Sequence, residues 1–231
     1  ATTEIYTLSL HDALPISDSA PARVAGLTFI VIAGSAWWSA AAHALTRAAD
    51  FKAVRLADVL DAARVGFVPG LQFGGVAAAA LALASIVMPF YASINNFFGL
   101  FASSLSFWIF LCLALVMQYM LPWRAANGGT FRESVRASFL LFMDAPAFSL
   151  ALAIDGLLCV AVSPLVAFLL PGPAAAVLAS CDAVRLRSLK LRWMAEPGHP
   201  AKPVPWSTLL ADDEEALGPR GFKDLIFPWK R

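Results

Sequence analysis

The sequence predicts an all-α fold, a polytopic transmembrane helix bundle with interfacial amphipathic helices, and three observations predict it. Between Arg64 and Arg124 there is no Asp, Glu, Lys or Arg, a run of about sixty residues where a single crossing needs ~20 apolar ones. Hydrophobic residues make up 59% of the chain and charged ones 14%, against ~25% charged in soluble domains, and mean hydropathy is +0.70. The formal net charge of +1 hides a clustering of basic residues at 47–64, 124–136 and 185–192, separated by long uncharged stretches. Alternation of basic clusters with uncharged stretches is the pattern of loops and crossings.

The first residues stand apart. Glu4-Ile5-Tyr6-Thr7-Leu8-Ser9-Leu10-His11-Asp12-Ala13-Leu14-Pro15-Ile16-Ser17 resembles the translation of a sequencing-adapter read. On that reading His11 and Asp12 are not a catalytic pair, and one crossing is expected to have been lost at the damaged end. Residues 1–17 are therefore separated from a transmembrane domain at 18–193 and a tail at 194–231.

Five crossings are expected. The first spans 24–45 and carries no charge, about 33 Å of helix at 1.5 Å per residue. Its second half, Ser35 to His43 with Trp37 and Trp38, has the polar and Trp-rich character that also allows a bend into the interface. From 47 to 64, three Asp and four Lys or Arg accompany Leu56, Val59, Leu60 and Ala63 at i, i+3, i+4 and i+7, which predicts an amphipathic helix lying on the membrane surface. Crossings at 69–91 and 97–121 then form a hairpin around the uncharged turn Ala92-Ser93-Ile94-Asn95-Asn96. Gly70, Gly74 and Gly75, followed by Ala77 to Ala80, let another backbone approach closely, either within the chain or from a second copy.

After Trp123, Asn127-Gly128-Gly129 signals a turn and Thr130-Phe131-Arg132-Glu133 a capping box that starts a short interfacial helix. Asp144 is expected to cap the next helix, with Pro146 in its first turn, where the missing N–H costs nothing. That fourth crossing runs over 146–170. Pro171-Gly172-Pro173 breaks the chain, and a last crossing at 174–190 ends in Arg185, Arg187 and Lys190. Pro197, Pro200, Pro203 and Pro205 make the tail a stiff linker. Near its end Phe222, Leu225, Ile226 and Trp229 fall at i, i+3, i+4 and i+7, a candidate docking motif for a membrane or cytoplasmic protein partner, for the chain's own loops or for lipid. The positive-inside rule puts the three basic clusters and the C-terminus in the cytoplasm of a multi-pass protein of the inner (plasma) membrane.

Charge inside the bilayer costs ~2.5–3.5 kcal/mol at a helix centre on insertion scales, so each such residue is a functional candidate. Asp155 lies in the middle of the fourth crossing. Asp144, eleven residues earlier, falls on nearly the same face if the helix is continuous. His43 shares a face of the first crossing with Ser35 and Ser39 and completes the candidate intramembrane polar site. Asp182 and Arg185 have the spacing of an intrahelical ion pair. Cys112, Cys159 and Cys181 show no disulfide framework or zinc spacing and read as buried small apolar residues. Phosphate-loop, HExxH and Gly-x-Ser-x-Gly motifs are absent from the sequence, so no enzymatic activity, metal, cofactor or nucleic-acid partner is expected.

Ile32-Ala33-Gly34-Ser35-Ala36 running into Ala40-Ala41, the linker from Asp50 to Arg64, and Glu133-Ser134-Val135-Arg136-Ala137-Ser138-Phe139-Leu140-Leu141 carry a resemblance to the YesL-like family of small bacterial membrane proteins. The resemblance extends over residues 24–193 and brings no catalytic motif. It implies a non-enzymatic accessory or scaffold role near a transport system, such as carbohydrate uptake; the Pro-rich tail departs from the family pattern. A second expectation, from the residues alone, is a small secondary transporter with Asp155 in a polar cavity.

Overall fold

The computed structural model describes residues 20–50, 55–94, 96–164, 172–195, 204–211, 213 and 215. Among them all regular structure is helical: α1 Ala20–Ala49, α2 Leu56–Ser93, α3 Phe97–Met117, α4 Met120–Asn127, α5 Phe131–Asp144, α6 Pro146–Val162, α7 Pro173–Ala195 and α8 Trp206–Leu209. The chain divides into two compact units, 1–184 and 185–231.

In the first unit, three helices are long and apolar enough to cross a membrane: Ala25–Ala49, Leu56–Ser93 and Phe97–Asn127, the last joining α3 and α4. Their surfaces are apolar outward. Phe29 is 72% exposed, Phe98 78% and Ile86 69%, an arrangement that lipid satisfies and water does not. α1 continues without a break through Trp37 and Trp38, so the alternative bend into the interface does not occur.

The expected surface helix at 47–64 is not a separate element. α1 already covers Arg47 to Ala49, and α2 starts at Leu56 and runs unbroken for 38 residues, about 57 Å. The physical reason lies in its first turn. The Arg55 N–H donates to the Asp58 carboxylate at 3.0 Å, Arg47 of α1 pairs with that same carboxylate, and beyond them no Gly or Pro interrupts the chain before Gly66. Pro69 and Pro89 lie inside α2, where neighbouring helices and apolar surroundings tolerate them.

α1 and α2 are antiparallel and joined by small residues. A Cβ added at Gly66 would lie 3.0 Å from backbone atoms of Ser39 and Ala40, one at Gly70 2.6 Å from Ala36 Cα, and one at Gly74 3.0 Å from Ile32 Cα. Each four-residue step up α2 thus matches a step of about four down α1. Gly75 has nothing within 4 Å of its would-be Cβ. The glycine spacing serves packing within the chain, as lipid-embedded helices without a hydrophobic drive require. On another side of α1, Ala42 and Ala49 pack with Val177 and Cys181 of α7.

The hairpin of α2 and α3 turns at 94–96, where Asn96 caps α3 by accepting from the Gly99 N–H at 2.8 Å. At its other end the largest fully buried side chains gather: Tyr119, Met120 and Leu121 at the α3–α4 break, and Leu141 of α5. Gly128 and Gly129 adopt φ of 69° and 89°, the left-handed conformation that glycine takes without strain. The capping box forms as the sequence predicts, with Thr130 N–H donating to Glu133 Oε2 at 2.9 Å and Glu133 N–H to Thr130 Oγ1 at 3.4 Å.

The expected fourth and fifth crossings differ in the structure. α6 has 17 residues, and it passes as a span only together with α5, across a bend of 106°. α7 is not among the helices apolar enough to cross, because Asp182, Arg185, Arg187, Lys190 and Arg192 occupy its second half. By length and composition the described residues thus supply three crossings, or four with the bent pair; residues 165–170 of the expected fourth crossing lie outside them. In the second unit, Arg185 grips Asp213 with two hydrogen bonds from Nη2, at 2.6 and 2.8 Å. The proposed docking residues Phe222, Leu225, Ile226 and Trp229, and the segment 4–17, lie outside the described residues.

Candidate functional site

The three intramembrane candidates sit on three different helices and form no common site. Asp144 is the last residue of α5, and Ala145, not Asp144, is the N-cap of α6. Ala145 has φ −155° and ψ 84°, the extended conformation that a following proline imposes. Pro146 does occupy the first turn of α6, as its sequence position predicts. The same proline bends the chain by 106°, so Asp144 and Asp155 do not share a helical face. His43 donates from Nδ1 to the Ser39 carbonyl at 2.8 Å, a bond within its own helix.

Asp155 is exposed. Its neighbours one turn away, Ala151 and Leu158, are exposed too, as are Ile154 at 50% and Leu157 at 70%. The packed side of α6 is instead marked by Ser149, wholly buried, and by Gly156, whose added Cβ would lie 3.8 Å from Ala176 of α7. Asp155 therefore points away from the bundle. It lines no enclosed cavity among the described residues.

Polar groups converge elsewhere, at the break between α3 and α4. Gln118 donates from Nε2 to the Ser149 carbonyl at 2.9 Å, and the Tyr119 hydroxyl lies 2.8 Å from Ser149 Oγ, which also bonds the Ala145 carbonyl at 3.1 Å. Tyr119 and Ser149 are fully buried. This node fastens the N-terminal turn of α6 to the end of the hairpin, and a buried polar cluster so satisfied costs little in desolvation. A second tie joins Arg124 Nη1 to the Gln72 side chain, α4 to α2. The sequence reading missed both, although a signal was present: Gln72 and Gln118 are the two glutamines of the charge-free run, and each bonds another helix.

Other buried hydroxyls bond their own helix. Ser35, Ser134, Ser138 and Ser163 each donate to the carbonyl four residues earlier, the usual refuge of serine in an apolar helix. Ser39 Oγ, in the α1–α2 seam, is the buried side-chain oxygen with no hydrogen bond among the described residues. Cys181 is buried, Cys159 half-buried and Cys112 exposed on α3, so the expectation of uniformly buried thiols holds for Cys181 alone. Near the mouth of the α1–α2 loop, the hydrogen bond from the Arg55 N–H, with Arg47 alongside, holds the Asp58 carboxyl below the usual carboxylate range. Asp58 precedes the charge-free stretch, outside the membrane-spanning part of α2. No three His, Cys, Asp or Glu side chains converge to hold a metal among the described residues. Comparison with protein-family models, curated proteins and solved structures finds no match to this chain.

Proposed function

We propose that this chain is a non-enzymatic accessory or scaffold subunit of a bacterial inner-membrane transport system, of the YesL-like kind. The observation that carries the reading is the use to which its buried polar side chains are put. Gln118, Tyr119 and Ser149 hold α3, α4 and α6 to one another, and the glycines of α2 hold α1. Polar chemistry spent on fastening helices suits a framework. The transporter reading, which rests on Asp155 in a cavity, draws less support because Asp155 faces outward.

The C-terminus is cytoplasmic in this reading. By the positive-inside rule the basic clusters at 47–64, 124–136 and 185–192 lie on that side, Arg47 pairing with Asp58 near the α1–α2 connection. The tail residues Phe222, Leu225, Ile226 and Trp229 then meet the partner in the cytoplasm, while the lipid bilayer covers the apolar flanks. Deletion of residues 219–231 tests this. Transport-system components should co-purify from native membranes with the full chain and not with the truncated one, with insertion unchanged. Recovery of the full chain from mild detergent as an isolated species would refute the reading.

A further inference from the structure

We propose that an exposed flank of α6, the one that carries Asp155, docks a transmembrane helix of a partner protein carrying a Lys or Arg at matching depth. The inference rests on reading the chain as an accessory membrane subunit, and it assigns that subunit a contact inside the bilayer. Asp155 stands nine residues beyond Pro146, about 14 Å along α6, in the half of the bent α5–α6 pair that carries no other charge. It is exposed, as are Ala151 and Leu158 one turn before and after it. Ser149 and the Gly156–Ala176 approach mark the packed side, about 100–120° around the helix from Asp155.

A carboxylate presented to hydrocarbon is disfavoured, and intramembrane acids face a bundle interior, a water path or an opposite charge. Among the described residues Asp155 is exposed and does not face the bundle interior. Charge complementarity then decides the occupant. Along 25–46, 65–93, 97–117 and 146–162 the chain has no Lys or Arg, and Asp155 is the one acidic residue. A second copy would therefore bring a like charge to the same depth, whereas a foreign helix with a basic residue brings the opposite one. Apolar residues around Asp155 supply the dry surround in which such a pair is strongest.

The test uses the full chain in vesicles of zwitterionic and anionic lipid and synthetic Leu/Ala single-span helices with either one central Lys or none, with association read by energy transfer. The Lys helix should bind at least tenfold more tightly than the Leu-only helix. Asp155→Asn and Asp155→Leu should remove the preference, and Asp144→Asn should leave it; circular dichroism confirms that each variant is folded. Equal binding of both helices to the wild-type chain overturns the proposal. So does Asp155-dependent self-association of the chain, which would make the occupant a second copy. A third overturning result is rapid labelling of Asp155→Cys by a membrane-impermeant maleimide, with Cys112, Cys159 and Cys181 changed to Ala, since this would put the face in water. Any of these three leaves the tail-deletion result intact, so failure here is distinguishable from failure of the accessory reading.

Discussion

Replacing Gly70 with Ala should loosen the α1–α2 pair, and the size of the effect follows from one distance. The new Cβ would sit 2.6 Å from Ala36 Cα, with Ser35 O at 3.0 Å and Ala36 N at 3.1 Å, all backbone atoms of the facing helix. Carbon atoms prefer ~3.5 Å or more, so α1 must retreat by about 1 Å, a gap that forfeits a quarter to a half of each facing contact. Overpacking of this kind costs about 2 kcal/mol. Ala also gains about 1 kcal/mol over Gly in helix propensity, which would mask half of the loss in a single measurement. Gly75→Ala removes that ambiguity. It carries the same propensity gain with nothing within 4 Å of the new methyl, so the difference between the two variants isolates the steric term. Unfolding in bicelles by steric trapping should put Gly70→Ala below Gly75→Ala by about 2 kcal/mol, roughly 30-fold in the equilibrium constant. Gly66→Ala and Gly74→Ala, at 3.0 Å, should fall between them. Equal stabilities for Gly70→Ala and Gly75→Ala would refute close backbone packing between α1 and α2.

Other perturbations probe the remaining fastenings. Tyr119→Phe removes the 2.8 Å contact to Ser149 and should cost about 1 kcal/mol; a double-mutant cycle with Ser149→Ala should show coupling, and zero coupling would contradict the node. Thr130→Ala breaks the capping box of α5 and should destabilise its first turn by about 1 kcal/mol, read as faster amide exchange at Glu133. Because the folded-state pKa of Asp58 is lowered, its clamp on α2 is present above the unfolded value of ~3.9 and lost as pH falls through the lower folded value. Spin labels at Ala48 and Ala57 should therefore keep one narrow distance at neutral pH and at pH 5, and broaden only in stronger acid; a distribution already broad at pH 5 would count against the clamp.

The fold class, the hairpin and the α5 start were legible because each rests on a local signal. A charge-free run, an uncharged turn with Asn96, and Thr130 three residues before Glu133 act through neighbours in the chain, and the structure has all three. The failures share a cause as well. Amphipathic spacing at Leu56, Val59, Leu60 and Ala63 marks a helix but does not say where it ends, and α2 simply continues. The spacing of Asp144 and Asp155 predicts a shared face only if the helix is continuous, and Pro146 breaks it.

What the sequence could not convey was direction around a helix axis. A period of 3.6 residues tells which side chains go together, and in a soluble protein the polar set faces out. In lipid the rule loses its anchor, because the outward face is apolar and packing is chosen by size. Small residues then become the better guide: Gly66, Gly70 and Gly74 mark the packed side of α2, and Ser149 and Gly156 that of α6. On α6 Asp155 lies about 120° around the helix from Ser149 and 100° from Gly156, and it is exposed together with Ala151 one turn before it. The polar residue of greatest interest is then the one that packing leaves free for a partner.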